Sequence, residues 1–326
     1  MEVSEPTLSS GEVLVQVAAT GLCHHDISVM DGTIRRGTKR NVVLGHEISG
    51  TVIQTNDDTK GIKVGAKVVT SLTNHCGECS YCESNREYMC QKGQGFGHGI
   101  DGGFSQRIAL KVTNLIELDP SMDLLEACLM ACPIGVALRA LHDVARVKEG
   151  DDVVIFGIGG GLGIHLAQIA AAAGANVLGF TTHTKKLEKM ASIGFEQVFL
   201  HQDGVDPSDL VMAFTEDKGA DIVVNPVGSA VFTSGLRSLA NNGCMVLLGE
   251  IKGESVAVNP AEIIFRDVSI VGCKGADMHH IETAIRMVSM GNIKPIIDSV
   301  FSFDEVLIAY DRVKSGLSLG RVVLVP

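Results

Sequence analysis

The chain contains no tryptophan, and its aromatic residues amount to only 4 %. Stacking platforms for single-stranded nucleic acid are built from aromatic side chains, so their scarcity argues against that class. A basic excess is missing as well. Lys and Arg number 27 against 38 Asp and Glu, a net charge of −11, opposite to what a phosphate backbone attracts. No long apolar run is present: the most apolar stretch, Leu124 to Leu138, is broken by Glu126, Pro133 and Gly135 and is too short to span a bilayer. Met1 to Ser10 is polar and acidic, without the apolar segment of a secretory signal. Proline/serine linkers, internal repeats and low-complexity tracts are lacking too. These absences lead to the expectation of a cytoplasmic protein with no nucleic-acid and no membrane partner.

What is present is 326 residues, 45 % hydrophobic and 20 % charged, enough at about 150 residues per domain for two domains with sizeable cores. The 37 glycines are not periodic, which excludes collagen. Two textures divide the chain. From Gly11 to about Met130, short alternating segments such as EVLVQVAA (12–19) and HEISGTVIQT (46–55) predict an irregular, mostly β region. From about Val144 to Gly272, apolar strands (152–156, 175–180, 196–200, 221–225, 244–249 and 268–272) alternate with helical segments such as 164–174 and 185–194. That alternation predicts a parallel, doubly wound sheet. A helix over about 280–290 and a last strand, 321–325, follow.

Nine cysteines in a reducing compartment are expected to be ligands or buried thiols. Four form the strongest motif, Cys76-x2-Cys79-x2-Cys82-x7-Cys90. Thiolates so spaced close a tetrahedral site around one Zn2+ and leave no position for a substrate. The segment around them has little apolar content, so the metal is expected to hold it together.

A second motif, Gly157-x-Gly159-Gly160-Gly161-Leu162-Gly163, lies between a predicted strand and a predicted helix. It has one more residue than the usual dinucleotide fingerprint, but the strand-turn-helix context is the required one. Where an acid would meet the ribose hydroxyls of NAD, the chain reads Thr181-Thr182-His183-Thr184-Lys185-Lys186. An acid would repel a 2′-phosphate, whereas Thr and Lys bind one, so NADP(H) is preferred over NAD(H). Thr184 also reads as a helix cap above solvated lysines. The third set is dispersed: Cys23-His24-His25-Asp26, Gly45-His46-Glu47 and Cys132. Two thiolates and an imidazole suit a zinc with an open position. Each also reads as a buried thiol, a core histidine or a small helix residue, and spacing does not unite them.

Taken in order, GEVLVQVAATGLCHHD, VVLGHEISG, the four-cysteine lobe, CPIGVALRAL, the glycine turn and GRVVLVP resemble the zinc-containing medium-chain dehydrogenase/reductase superfamily, its alcohol dehydrogenase group, from Gly11 to Pro326. The resemblance implies an α/β protein. A Rossmann doubly wound parallel sheet, residues 133–273, would be inserted in a GroES-like, mostly β catalytic domain of residues 1–132 and 274–326 that carries the zinc lobe at 76–90. It implies a second, catalytic zinc on Cys23, His46 and Cys132, with Glu47 beside the metal and Asp26 behind it. Cys128 competes with Cys132, which is preferred for its distance to Ala140-Leu141. Arg321, in the closing GRVVLVP, is expected at the coenzyme site. The implied reaction interconverts a small alcohol and an aldehyde or ketone with NAD(P)(H), in a homodimer or homotetramer.

Three departures from the family pattern stand out. His25 occupies the place where Ser or Thr usually starts a proton relay, and an imidazole relays protons as well. Met1 begins almost at the segment matching Glu2–Pro6, which the family usually precedes with a further strand. The ribose acid is missing. Superfamily branches that reduce activated C=C bonds of enoyl thioesters with NADPH share the TT-x-x-KK stretch, so alkene reduction is the alternative.

Overall fold

Apolar side chains recur along EVLVQVAATGL, and in the computed structural model these residues form the strand Glu12–Leu22, buried at eight of its eleven positions. The structure describes residues 5–56, 59, 61–202 and 204–326. Residues 1–4, the expected opening of the first domain, lie outside the described residues. Glu12–Leu22 organises a seven-stranded sheet in which Ile297–Ser302, Arg321–Val325, Glu12–Leu22, Glu47–Thr55, Lys67–Thr70 and Leu115–Glu117 are successive neighbours, and Arg107–Lys111 also pairs with Glu12–Leu22. Two registers matter for function. Gly21 pairs with Glu47, and Leu22 pairs with Val322, so Glu47 and Arg321 both arrive beside the residues that precede Cys23.

The second sheet has six strands, all parallel, in the spatial order Val198–Leu200, Asn176–Thr181, Asp152–Phe156, Ala220–Asn225, Leu239–Leu247, Ser269–Gly272. Numbered along the chain this is the order 3-2-1-4-5-6 of a Rossmann sheet. Each strand boundary lies close to its sequence expectation, except that Leu239–Leu247 starts five residues before the anticipated Cys244. The helix Gly163–Ala172 starts straight after the glycine turn. It can approach the first strand only because residue 163 is glycine: a Cβ there would lie 2.2 Å from the Gly157 carbonyl oxygen and 2.8 Å from Ile158 Cα.

Between the sheets runs a helical segment, 130–145, with wide π turns at Met130–Gly135 and Arg139–Ala145. Pro133 has no N–H to donate, and a widened turn accommodates it. Leu129, Ile134, Leu138 and Leu141 of this region pack in one core with Ile155, Ile164 and Val323, so both sheets share apolar contacts. His165, wholly buried, accepts from the Ile296 N–H through Nε2 at 3.1 Å and meets the Gly161 carbonyl through Nδ1 at 2.7 Å. Burial lowers its pKa to about 4, so it stays neutral. It ties the glycine turn to the chain returning to the first sheet. Among the described residues no helix is long and apolar enough to cross a membrane.

Candidate active site

The four lobe cysteines converge. Their Sγ separations are 3.5 Å (Cys76–Cys90), 3.6 Å (Cys79–Cys82), 3.9 Å (Cys79–Cys90) and 4.0 Å (Cys76–Cys82), with no disulfide among them. Tetrahedral zinc with Zn–S of about 2.3 Å requires sulfur atoms roughly 3.8 Å apart, so the donor set fits a closed Zn2+ site. Backbone N–H groups, that of Cys82 foremost, lower the Cys79 pKa to about 6, toward the thiolate that binds metal.

The dispersed set also comes together. Cys23, His46, Glu47 and Cys132 each place one ligand atom within 4.8 Å of the others. Cys23 precedes a short helix, His24–Met30, and Asp26 of that helix accepts from the Cys23 N–H at 2.9 Å and the Gly45 N–H at 3.1 Å. The same carboxylate meets His46 Nδ1 at 3.3 Å, leaving Nε2 for the cluster. Asp26 is fully buried, which makes the ring orientation rigid. Cys132 is the thiol in this cluster; Cys128 points to the Leu125 carbonyl at 3.2 Å, and burial pushes its pKa up. A hydrogen bond from Cys132, helped by Arg321 and His46, holds the Cys23 pKa well down. Two thiols and an imidazole fit a catalytic Zn2+ donor set, with the Glu47 carboxylate as the fourth group in reach.

Glu47 lies directly over Gly21, where a Cβ would fall 1.8 Å from Oε2. It is fully buried, and Oε2 has no hydrogen-bond partner among the described residues. Burial raises its pKa to about 7, opposed by Arg321 Nη2 at 3.0 Å from Oε1. Arg321 is itself buried and reaches three places. It approaches Cys132 Sγ at 4.0 Å and the Leu22 carbonyl at 3.5 Å, and its guanidinium lies 2.9 Å from where a Cβ of Gly161 would be. One cation thus touches both the glycine turn and the cluster, which sequence reading assigned to the coenzyme alone.

The glycine turn occupies the carboxyl end of Asp152–Phe156, and Gly160 is bridged to Gly320, beside Arg321. Leu162 is the residue before the helix and is half-buried. Thr181 is buried, Thr182 exposed, and Lys186 buried with its stem against Gly159, 2.9 Å from a Cβ placed there. Lys185, Lys186, Lys189 and Arg312 surround a hollow of about 210 Å³. Arg312 is held there by a bidentate pair with Asp298, both distances 2.8 Å. The expected cap at Thr184 is corrected: the helix Thr184–Ser192 begins with that residue, and His183, extended at φ −128°, is the cap position.

His25 stands apart from the ligand atoms but packs against His46 and His98, ring centroids 5.2 and 5.3 Å away. Burial lowers its pKa, so it is neutral near pH 7. Sequence reading missed His98 and His165, because each is isolated in sequence and owes its contacts to the fold.

Residues 9–120 match the alcohol dehydrogenase GroES-like domain, and residues 161–290 the zinc-binding dehydrogenase domain. The chain is 30 % identical to an acryloyl-coenzyme A reductase of Metallosphaera sedula over 99 % of its own length and 95 % of the relative's. It is equally similar, 30 %, to an alcohol dehydrogenase of Geobacillus stearothermophilus over 99 % and 94 %. The crystal structure of an alcohol dehydrogenase from Aeropyrum pernix superimposes with a TM-score of 0.93 at 25 % identity, covering 100 % of this chain and 96 % of that one. With its GroES-like and Rossmann sheets and this full-length similarity, the chain belongs to the zinc-containing medium-chain dehydrogenase/reductase superfamily of oxidoreductases.

Proposed function

We propose that the chain is a zinc-dependent, NADP(H)-preferring oxidoreductase that interconverts an alcohol and an aldehyde or ketone, with catalytic and coenzyme domains bounded at 1–132 plus 274–326 and 133–273. The convergence of Cys23, His46 and Cys132 carries this reading. A zinc bound there supplies Lewis acidity toward a substrate oxygen, and a nicotinamide supplies or takes the hydride. Asp26 fixes the His46 ring. Arg321 balances the buried Glu47 charge and would hold the coenzyme's pyrophosphate at the glycine turn. His25, set between His46 and His98, would pass the proton between substrate and solvent.

A second reading is supported by the acryloyl-coenzyme A reductase relatives: hydride addition to the activated C=C bond of an enoyl thioester. Aldehydes, ketones and enoyl thioesters assayed with both coenzymes separate the two. Turnover of carbonyls supports the first reading, and turnover of enoyl thioesters alone replaces it.

His25→Ala should lower carbonyl turnover by about 10²-fold or more and alter its pH profile, because a proton carrier is removed. An unchanged pH profile would contradict the role. Lys186→Ala should weaken NADPH binding by roughly 1–2 kcal/mol, about tenfold, and barely change NADH binding. Burial lowers the Lys186 pKa to about 8, so its charge is present below that pH and lost above it. The preference for NADPH in the parent protein should therefore shrink as pH rises through about 8. Equal affinities for the two coenzymes at pH 7, measured by fluorescence titration, would contradict it.

A further inference from the structure

A cavity of about 650 Å³ separates the cysteine lobe from the carboxyl ends of Leu239–Leu247 and Ser269–Gly272. That volume is within the range of small-molecule sites. Its position is set by topology. All six strands are parallel, so the cavity opens on the same sheet edge as the glycine turn. It lies two to three strands over, about 10–14 Å away at the usual strand spacing. A dinucleotide crosses this edge from the turn toward those strands, which puts the cavity next to the hydride-carrying end.

Its walls are unusual for a chain of net charge −11. Arg86, Arg139 and Lys274 line it, with Tyr88, Leu247 and Leu248 as the apolar part. Among the described residues none of the three cations is in an ion pair. Asp143, whose charge reaches neighbouring Cys273, is engaged by His280 Nε2 at 3.0 Å. Arg139 is fixed in place. Its guanidinium lies over the Tyr88 ring at 3.8 Å, and Nη1 donates to the Lys274 carbonyl at 2.9 Å and Cys273 Sγ at 3.2 Å. Gly275 backs onto Tyr88, a Cβ there meeting the tyrosine Cβ at 3.2 Å, so the lobe side is positioned as well. Three cations around one hollow, with no carboxylate paired to them among the described residues, give it a positive field that favours an anion.

We propose that this cavity binds an oxyanion of the substrate, a phosphate or a carboxylate, and that Arg86, Arg139 and Lys274 recognise it while Tyr88, Leu247 and Leu248 cover the chain leading to the reacting carbon. The proposal deepens the oxidoreductase reading above: it makes the substrate an anion-tailed carbonyl or enoyl compound. Arg139 contributes a planar fork suited to two oxygens, and Lys274 and Arg86, both exposed, close around the group from solvent.

Calorimetric titration of the zinc-replete protein saturated with NADP+ tests this without turnover, so its outcome does not depend on whether a carbonyl or an alkene is reduced. Adenosine 3′,5′-bisphosphate serves as the phosphate probe and succinate as the carboxylate probe. At least one is expected to bind, more weakly as salt rises, and the one that binds names the oxyanion. Lys274→Gln and Arg86→Gln should each weaken that binding about tenfold, and Lys274→Glu further, with NADP+ affinity unchanged as the sign of an intact fold. Absence of binding for both probes, or equal binding by the parent and the Lys274→Glu, Arg86→Gln double variant, would overturn the proposal.

Discussion

His46→Ala is expected to lower carbonyl turnover by about 10³-fold or more while NADPH still binds. The reason is the division of labour in the fold. His46 lies just before the inner strand Glu47–Thr55 of the first sheet, with its ring held by Asp26. The glycine turn, Thr181 and Lys186 belong to the coenzyme side, around the second sheet, and Arg321 is the side chain that reaches both regions. Loss of the imidazole leaves two thiols and the Glu47 carboxylate, which Arg321 engages at 3.0 Å from Oε1, so no neutral donor replaces His46 in the set. Lewis-acid stabilisation of several kcal/mol corresponds to at least three decades in rate. Steady-state kinetics with fluorescence titration of NADPH checks both halves. Turnover within tenfold of the parent would remove His46 from the chemistry, and loss of NADPH binding would show that the two sheets are not independent in this respect.

Cys79→Ser or Cys82→Ser should destabilise the protein rather than merely slow it. The lobe from Cys76 to Cys90 contains only a four-residue helix, Ser80–Glu83, a single 3₁₀ turn, Glu87–Met89, and few apolar side chains. Structural zinc contributes about 10–16 kcal/mol in small zinc-folded peptides, more than most domains hold in reserve. Without a fourth thiolate the lobe has little else to keep it folded, and Arg86 and Tyr88 lose their places at the cavity. Thermal unfolding with and without a strong chelator measures this. A midpoint several degrees lower for the variants, and for the chelated parent, is the expected result. An unchanged midpoint, or disulfides among the four cysteines, would contradict it.

How much of this was legible in the sequence depended on whether a feature is local. The six parallel strands, the glycine turn and the four-cysteine lobe each sit within one short window, where apolar runs, turn glycines or ligand spacing mark them directly. The ligand trio did not, because Cys23, His46 and Cys132 meet only through strand pairing and the π turn at Pro133; family resemblance, not spacing, united them. Arg321 shows the limit more sharply. Its neighbour Val322 pairs with Leu22 on a strand returning from the far end of the chain, so the contact of Arg321 with Glu47 could not be read from neighbouring residues. The cation-lined cavity is assembled from the lobe, the 130–145 segment and two strand ends. No window of sequence contains it.

Zinc content per chain, measured by plasma mass spectrometry on the parent and on His46→Ala after dialysis, tests the central claim most directly. Two zinc ions in the parent and one in the variant are the expected result, with the remaining ion in the four-cysteine lobe. One zinc in both proteins would mean that Cys23, His46 and Cys132 hold no metal, and would contradict the account.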